Sequence, residues 1–205
     1  MISFSPNLSW SNFLCLFKNN KIDEEKVRLL FCRTNNEKLF FFSRSSWAIY
    51  SIAILKKNPC IFVPDYYCDE AIFLLRKLNT KIIFYKTNKD NSLDIEDLKI
   101  KAKLNSPDII IYCNFFGKNH FKSYLFDLKK TYKAWLIEDA THCLKPDNEI
   151  GNKGDFVIFS PYKFLPIPMG SIMKCNSNIL ENIVFNKDDN FFTNKIINSN
   201  INLPN

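Results

Sequence analysis

Residues 60–85 read CIFVPDYYCDEAIFLLRKLNTKIIFY, and this stretch holds two apolar runs separated by an amphipathic segment. The first run, residues 60–64, is continuously apolar and ends at a proline, which is typical of a buried strand. Residues 69–78 have the spacing of an amphipathic helix, and residues 81–85 predict a second strand. A strand, a helix and a strand at this spacing predict a βαβ unit with two parallel strands.

The same alternation continues on both sides of this unit. Helices are predicted over residues 22–31, 46–56, 92–104 and 122–132, and further strands over residues 38–42, 108–113, 134–137, 155–159 and 171–174. No helix separates the last two strands, so we expect them to pair differently from the others. The pattern predicts an α/β fold, a three-layer αβα sandwich around a mostly parallel, mixed sheet.

The length of 205 residues suits one large domain or at most two small ones. We expect an N-terminal segment over residues 1–40 and a core domain over residues 41–175. Residues 176–205 are polar and rich in Asn, and we interpret them as the start of a further C-terminal part. The longest apolar runs are far too short to span a bilayer, and the N-terminus lacks the features of a signal peptide.

Composition and charge exclude several classes of protein. Apolar residues make up 46% and charged residues 24% of the chain, which excludes disordered, collagen-like and coiled-coil proteins. The net charge is +7, but the lysines are scattered and no run of five basic residues occurs. A solvated surface is therefore favoured over a nucleic-acid or membrane partner, whereas small anionic ligands are compatible.

The cysteines and histidines indicate whether the chain could hold a metal site or disulfide bonds. Seven cysteines occur without any CxxC spacing, and the only histidines are His120 and His142. We therefore expect neither a metal site nor a full disulfide framework. Cys60 and Cys113 lie in apolar runs, where a thiol acts as a small buried hydrophobe, and this usage suits a reducing cytoplasm.

All four glycines fall between residues 117 and 170. Glycine allows sharp turns and a close approach of the backbone to a ligand, so special geometry in this stretch is one interpretation. Simple loop punctuation is the other, and the sequence leaves both open.

Ligands bind beyond the carboxyl ends of the strands in an open α/β sheet. The segments predicted there contain acids, a histidine, a lysine, aromatic rings and small hydroxyls: residues 64–66, 114–117, 138–142 and 160–163. Neither a P-loop nor a GxGxxG motif occurs, so the usual nucleotide fingerprints are absent.

These groups fit the chemistry of one cofactor, pyridoxal 5′-phosphate. A desolvated lysine becomes a neutral amine that attacks an aldehyde, and a buried aspartate pairs with a pyridinium nitrogen. Hydroxyls and backbone N–H groups at the start of a helix bind phosphate, and residues 43–46 (SRSS) precede a predicted helix. Lysine, aspartate and this turn match the aldehyde, ring nitrogen and phosphate of the cofactor.

Five segments in order resemble the large domain of the DegT/DnrJ-type sugar aminotransferases, which are fold-type-I pyridoxal-phosphate enzymes. The segments are SRSSWAIYSI, CIFVPDYYCDEAI, DIIIYCNFFG, LIEDATHCL and GDFVIFSPYKFLPIPMGSI. The resemblance covers about residues 40–175 and depends on all five segments being in register.

The resemblance implies a role for three residues that face the reacting end of the cofactor. Lys163 matches the catalytic lysine that binds the cofactor's aldehyde carbon and then moves the proton in transamination. Asp139 matches the acid paired with the pyridine nitrogen, and His142 matches the polar residue near the phenolic oxygen.

The remaining matches concern the phosphate and the face of the ring. Ser45 together with Arg44 matches the phosphate-binding turn, and Ser160 matches a second phosphate contact. Cys68, or the neighbouring Tyr67, stands where the family places an aromatic ring that stacks on the cofactor.

The chain also departs from the family pattern. Ser43 stands where glycine is frequent, Gly170-Ser171 stands where a glycine pair is common, and Cys68 cannot stack as a ring would. Family chains are about twice as long. The resemblance therefore implies an N-terminal portion: a truncated or decayed enzyme, or a fragment that needs another chain.

The resemblance implies an aminotransferase that moves an amino group from an amino-acid donor, such as glutamate, to a nucleotide-linked keto sugar. It also implies a homodimer with the active site at the interface. A different hypothesis is a catalytically inactive binding module or remnant that keeps the fold. A basic nucleic-acid binder is disfavoured, because the aromatic residues lie in apolar strands.

Each candidate residue also has a purely structural interpretation. Lys163 is then a surface lysine, Asp139 the N-cap of a following helix, and His142 a satisfied, partly buried histidine. Residues 43–46 then only cap their helix. The aromatic residues at 66, 67, 115 and 116 are expected to form pocket walls or packing, with Gly117 in a turn.

Overall fold

The computed structural model describes residues 24–176, so most of the expected N-terminal segment and nearly all of the polar tail lie outside the described residues. Seven strands form one sheet in the order β1-β7-β6-β5-β4-β2-β3. Their bounds are β1 Glu37–Phe42, β2 Cys60–Pro64, β3 Lys81–Tyr85, β4 Ile109–Cys113, β5 Trp135–Asp139, β6 Phe156–Phe159 and β7 Ser171–Asn176. Strands β2 to β6 are parallel and β7 is antiparallel to both its neighbours, which confirms the mixed sheet and the different pairing of the last strand.

Helices cover both faces of the sheet and confirm the three-layer fold. They are α1 Glu24–Phe31, α2 Ser45–Ala53, α3 Asp69–Arg76, α4 Ile95–Asn105 and α5 Tyr124–Tyr132, with short 3-10 turns at Phe115–Gly117 and Pro161–Lys163. Residues of α2 and α3 join one buried cluster with alternate residues of the central strands. Residues of α4 and α5 join a second cluster on the opposite face, and α1 covers the half of that face near β6 and β7.

The central strands are apolar throughout because both of their faces are covered. In β2, Ile61 and Val63 face α2 and α3, whereas Cys60 and Phe62 face the layer of α4 and α5. Cys60 and Cys113 are buried, as their apolar runs predict. Burial of these side chains is the main favourable term in the stability of the sheet.

Two strands extend beyond their predicted ends, and the charged residues within them find partners. Strand β5 continues through Glu138 and Asp139, and β7 continues past Lys174. The buried Lys174 Nζ lies 3.0 Å from Glu37 Oε1 of β1 and donates to Asn152 Oδ1 at 3.1 Å. A charge that is buried with such partners does not end a strand.

The pairing of β7 places the end of β1 beside the site. Since β7 is antiparallel to both β6 and β1, strand β1 runs in the same direction as β6. The turn that follows β1 therefore lies at the same edge as the carboxyl ends of the parallel strands. The N–H of Gly170 donates to Ser43 O at 3.0 Å and joins the start of β7 to this turn. Within the described residues, no helix has the length and apolar character needed to cross a bilayer.

Candidate active site

The predicted residues from the second half of the chain lie together at the carboxyl edge of β5 and β6. Asp139 is the last residue of β5, and His142 lies in the turns that follow it. Ser160 follows β6 directly, and Lys163 closes the 3-10 turn after it. Asp139 and Ser160 are buried, His142 is half-buried and Lys163 is exposed.

Thr141 connects the predicted lysine to the predicted aspartate. Lys163 Nζ donates to Thr141 Oγ1 at 3.2 Å, and the N–H of Thr141 donates to Asp139 Oδ1 at 3.0 Å. Thr141 is itself buried. Sequence reasoning missed this residue, since a hydroxyl two positions after an acid carries no signal of a distant lysine.

Asp139 does not cap a helix, so that structural interpretation is wrong. No helix follows β5 within the next residues, and the bond from the N–H of Thr141 closes a local turn instead. The hydroxyl of Tyr67 donates to Asp139 Oδ2 at 2.6 Å. Burial, followed by the charge of Asp139, raises the pKa of Tyr67 well above its usual range, so the phenol stays protonated and remains a donor.

His142 presents one defined nitrogen to the site. Its Nδ1 accepts a hydrogen bond from the N–H of Phe116 at 3.0 Å, so the proton of the neutral ring is on Nε2. Burial and then the nearby Lys163 lower the pKa of His142, and Asp139 only partly opposes them. The ring is therefore neutral at physiological pH and offers an N–H donor at Nε2.

The loop after β4 differs from its expected packing at one residue. Phe115 is buried as predicted, and Gly117 lies in a turn with φ +71°. Phe116 is 65% exposed and has a positive φ, so it does not join the core as Phe115 does. Its backbone N–H donates to Nδ1 of His142, and its ring lies against the same imidazole with the centroids 5.7 Å apart.

Ser160 has a buried hydroxyl that finds no partner among the described residues. The residue is fully buried, and an unpaired buried hydroxyl costs about 1–3 kcal/mol of stability. An oxygen of a bound ligand would satisfy it.

The turn after β1 contacts an acid that the sequence did not indicate. Arg44 is the N-cap residue of α2, and no side chain accepts a capping hydrogen bond there, so simple capping by residues 43–46 is not what the turn does. Arg44 Nη1 lies 3.4 Å from Glu70 Oε2, and Ser46 Oγ donates to Glu70 Oε1 at 3.0 Å. Ser45 begins the helix beside these contacts.

Cys68 lies at the exposed N-cap position of α3, next to Tyr67. Of these two neighbours, Tyr67 carries the aromatic ring and bonds to Asp139. The nearby Cys113 is buried, and burial followed by the charge of Asp139 raises the pKa of its thiol well above the usual value. All six cysteines of the described residues are free.

Glu138 points away from Asp139 and explains part of the glycine cluster. Its fully buried carboxylate accepts from Asn114 Nδ2 at 2.9 Å and from the N–H groups of Gly151, Lys153 and Gly154. A Cβ at position 154 would lie 2.8 Å from Glu138 Cβ and 2.4 Å from a backbone oxygen. Glycine is therefore required here for close approach within the protein itself.

The fold is shared with a class of known proteins. The chain has the fold of the fold-type-I pyridoxal-phosphate-dependent aminotransferases, with an amine, a carboxylate and an unpaired hydroxyl at the edge where such folds bind ligands. No family model matches the sequence. The chain is 28% identical over 111 residues to UDP-4-amino-4,6-dideoxy-N-acetyl-beta-L-altrosamine transaminase of Campylobacter jejuni subsp. jejuni serotype O:23/36 (strain 81-176), a match that covers 50% of this chain and 30% of the relative.

Solved structures of aminotransferases share the fold of this chain. Helicobacter pylori PseC, an aminotransferase involved in the biosynthesis of pseudoaminic acid, matches with a TM-score of 0.66 at 14% identity over 95% of this chain and 54% of PseC. A DegT DnrJ EryC1 StrS aminotransferase from Brucella abortus matches with a TM-score of 0.66 at 16% identity, over 88% of this chain and 54% of that protein. These findings confirm the resemblance to the DegT/DnrJ-type sugar aminotransferases. The chain spans about a third of the curated relative and about half of these structures.

Proposed function

We propose that residues 41–175 form the cofactor-binding domain of a pyridoxal-phosphate-dependent aminotransferase. The observation that carries this proposal is the chain of hydrogen bonds from Lys163 through Thr141 to Asp139. These bonds lie at the ligand-binding edge of a fold shared with aminotransferases. All of the relatives and structures compared above are aminotransferases, which supports an enzyme of the transaminase class.

The side chains present fit pyridoxal phosphate. Lys163 would bind its aldehyde carbon, and Asp139 would accept from its protonated ring nitrogen. The N–H at Nε2 of His142 would face the phenolic oxygen. The unpaired hydroxyl of Ser160 and the turn of Arg44 and Ser45 would hold the phosphate. When bound, the cofactor withdraws electrons from the amino donor and so makes its Cα proton acidic.

The residues of this chain would then hold charges and move protons. Lys163, freed by the amino donor, would take the proton from the donor's Cα and give it back at the carbon that was the cofactor's aldehyde. Asp139 would keep the ring nitrogen protonated, and Tyr67 would fix the orientation of this carboxylate through the bond to Oδ2. His142 would donate without adding positive charge, because its lowered pKa keeps it neutral.

The proposed substrates are a nucleotide-linked keto sugar and an amino-acid donor such as glutamate. The name of the Campylobacter relative and the description of PseC support this class of acceptor. A net charge of +7 is compatible with an anionic nucleotide. We also propose a homodimer in a reducing cytoplasm, where the thiols near the site stay reduced.

One observation favours the alternative, a domain that keeps the fold without catalysis. Glu70 places a carboxylate on Arg44 and Ser46, at the turn proposed to hold the phosphate. A negative charge at this place opposes binding of a second anion. Binding of the cofactor and catalysis are therefore tested separately.

The test adds pyridoxal phosphate to the purified protein and follows visible absorbance, followed by borohydride reduction and peptide mass spectrometry. We expect a stable visible band and a covalent adduct on Lys163. Both are expected to vanish in Lys163→Ala and to persist in Lys145→Ala, a matched exposed lysine near the site. Wild-type protein without a band or adduct would contradict cofactor binding. A band without amination of any nucleotide-linked keto sugar in the presence of glutamate would favour the non-catalytic alternative.

A further inference from the structure

We propose that Thr141 is a positioning residue that keeps the amine of Lys163 apart from the carboxylate of Asp139. Among the described residues, Thr141 Oγ1 is the hydrogen-bond partner of Lys163 Nζ, at 3.2 Å. The N–H of the same residue donates to Asp139 Oδ1 at 3.0 Å. Thr141 therefore stands between the cation and the anion, and no ion pair joins Lys163 to Asp139 within the described residues.

The separation has a clear electrostatic consequence. An ion pair with Asp139 would favour the ammonium form of Lys163 and would consume the negative charge that the proposed function assigns to the ring nitrogen. A hydroxyl is neutral, so it holds the amine in place without either effect. The β-branched side chain of the buried Thr141 has restricted rotation, so its hydroxyl has a defined direction.

Each part of the contact can be removed separately. Thr141→Val has nearly the same shape and keeps the backbone N–H that bonds to Asp139, but it lacks the hydroxyl. Thr141→Ser keeps the hydroxyl and loses a methyl group. Asp139→Asn keeps an oxygen that can accept from the N–H of residue 141, but it removes the charge.

The experiment measures the reactivity of Lys163 without cofactor, by trace acetylation with acetic anhydride at one pH and peptide mass spectrometry. The peptide containing Lys99, on the remote helix α4, is the internal standard. In Thr141→Val we expect the amine to pair with Asp139 and to acetylate about two- to fivefold more slowly, the range for partly exposed ion pairs. Thr141→Ser and Asp139→Asn are expected to react at the wild-type rate, and Thr141→Val combined with Asp139→Asn to recover it.

Two results would overturn the proposal: a wild-type rate in Thr141→Val, or a slow rate that persists in the double variant. Thermal unfolding of each variant verifies folding, and Thr141→Ala replaces Thr141→Val if the latter is unfolded. The role of Thr141 in catalysis rests on the proposed function, but this assay uses no pyridoxal phosphate. If the protein does not bind pyridoxal phosphate but shows the expected acetylation pattern, the proposed function is rejected and the role of Thr141 stands.

Discussion

His142 shows how a single backbone contact defines the chemistry of a residue. The N–H of Phe116 occupies Nδ1 of His142, so the ring can act in the site only through Nε2. Burial and the neighbouring Lys163 lower the pKa of the ring below its ordinary value of 6.5. The buried His120 has a lowered pKa for the same main reason, burial. Both rings are therefore neutral in the folded chain under conditions where they begin to charge in the unfolded chain.

This difference predicts a loss of stability in mild acid. As the pH falls below about 6.5, the unfolded chain binds protons on these rings before the folded chain does, so the free energy of unfolding decreases. Urea unfolding at about pH 7 and about pH 5 is expected to show this decrease in the wild type. His142→Gln and His120→Gln should each reduce the decrease, and the double variant should reduce it most. An equal decrease in all four proteins would contradict this assignment.

A second prediction at the residue scale concerns Glu70. Its carboxylate accepts from Ser46 and pairs with Arg44, so Glu70→Gln removes a negative charge from the proposed phosphate turn. Pyridoxal phosphate should bind Glu70→Gln about two- to fivefold more tightly, since the contact is partly exposed. Pyridoxal, which lacks the phosphate, should bind both proteins equally in the same absorbance titration.

The matched control for this prediction is Asp69→Asn. Asp69 lies one position earlier in the same first turn of α3, and no contact between it and Arg44 or Ser46 is present. An equal gain in this variant would show that only the overall charge of the chain matters.

At the scale of elements, the loop between β5 and β6 is folded around a carboxylate. Glu138 accepts from three backbone N–H groups of residues 151–154 and from Asn114 in the loop after β4. It thereby fixes two loops beside Asp139. This arrangement explains glycines 151 and 154, where an added Cβ would meet other atoms of the protein itself.

Glu138→Gln tests this arrangement. The amide would direct an NH2 group at backbone donors in a fully buried place, and we expect a loss of about 2–3 kcal/mol in the free energy of unfolding. Glu149→Gln, an exposed change in the same loop, should leave stability unchanged. Urea unfolding measures both, and a loss in Glu138→Gln no larger than that in the control would refute the structural role of Glu138.

The elements themselves could largely be predicted, because the apolar runs that form β2, β3 and β4 report burial on two faces directly. The end of β5 could not, because Glu138 remains in the strand only through partners from distant segments. Contacts between distant segments also limit what can be predicted about the site. Its motif residues could be identified from local sequence, whereas Thr141 and Glu70 act through contacts across the fold that no local pattern encodes.

At the scale of the whole molecule, an ion pair between a buried lysine and a half-buried glutamate joins the two strands at the end of the sheet. Lys174 of β7 is almost fully buried and lies 3.0 Å from Glu37 of β1. Burial alone would raise the pKa of Glu37, but the hydrogen bonds from Lys174 and from the backbone N–H groups of Thr34 and Arg33 hold it below its usual range. The carboxylate is therefore charged, and its stabilisation is lost only as the pH falls through its lowered pKa.

Removing Lys174 should leave the half-buried carboxylate of Glu37 without its ion-pair partner, with only backbone N–H groups to accept from. We expect Lys174→Met to lower the free energy of unfolding by about 3 kcal/mol, and Lys174→Met combined with Glu37→Gln to recover part of that loss. Lys38→Met, an exposed change in β1, should have little effect in the same urea experiment. A single variant as stable as this control would mean that the pair does not hold the edge of the sheet.

The pairing of β1 with β7 also sets an order of events during biosynthesis. Among the described strands, β1 pairs only with β7, so residues 37–42 must wait for residues 171–176 to leave the ribosome before they gain a strand partner. The parallel strands between them can already associate while translation continues, since each has a partner nearby in the nascent chain. The strand that leads into the proposed phosphate anchor therefore joins the sheet only after β7 has been made, and until then its apolar residues, LFFF, form a sheet edge without a strand beside it.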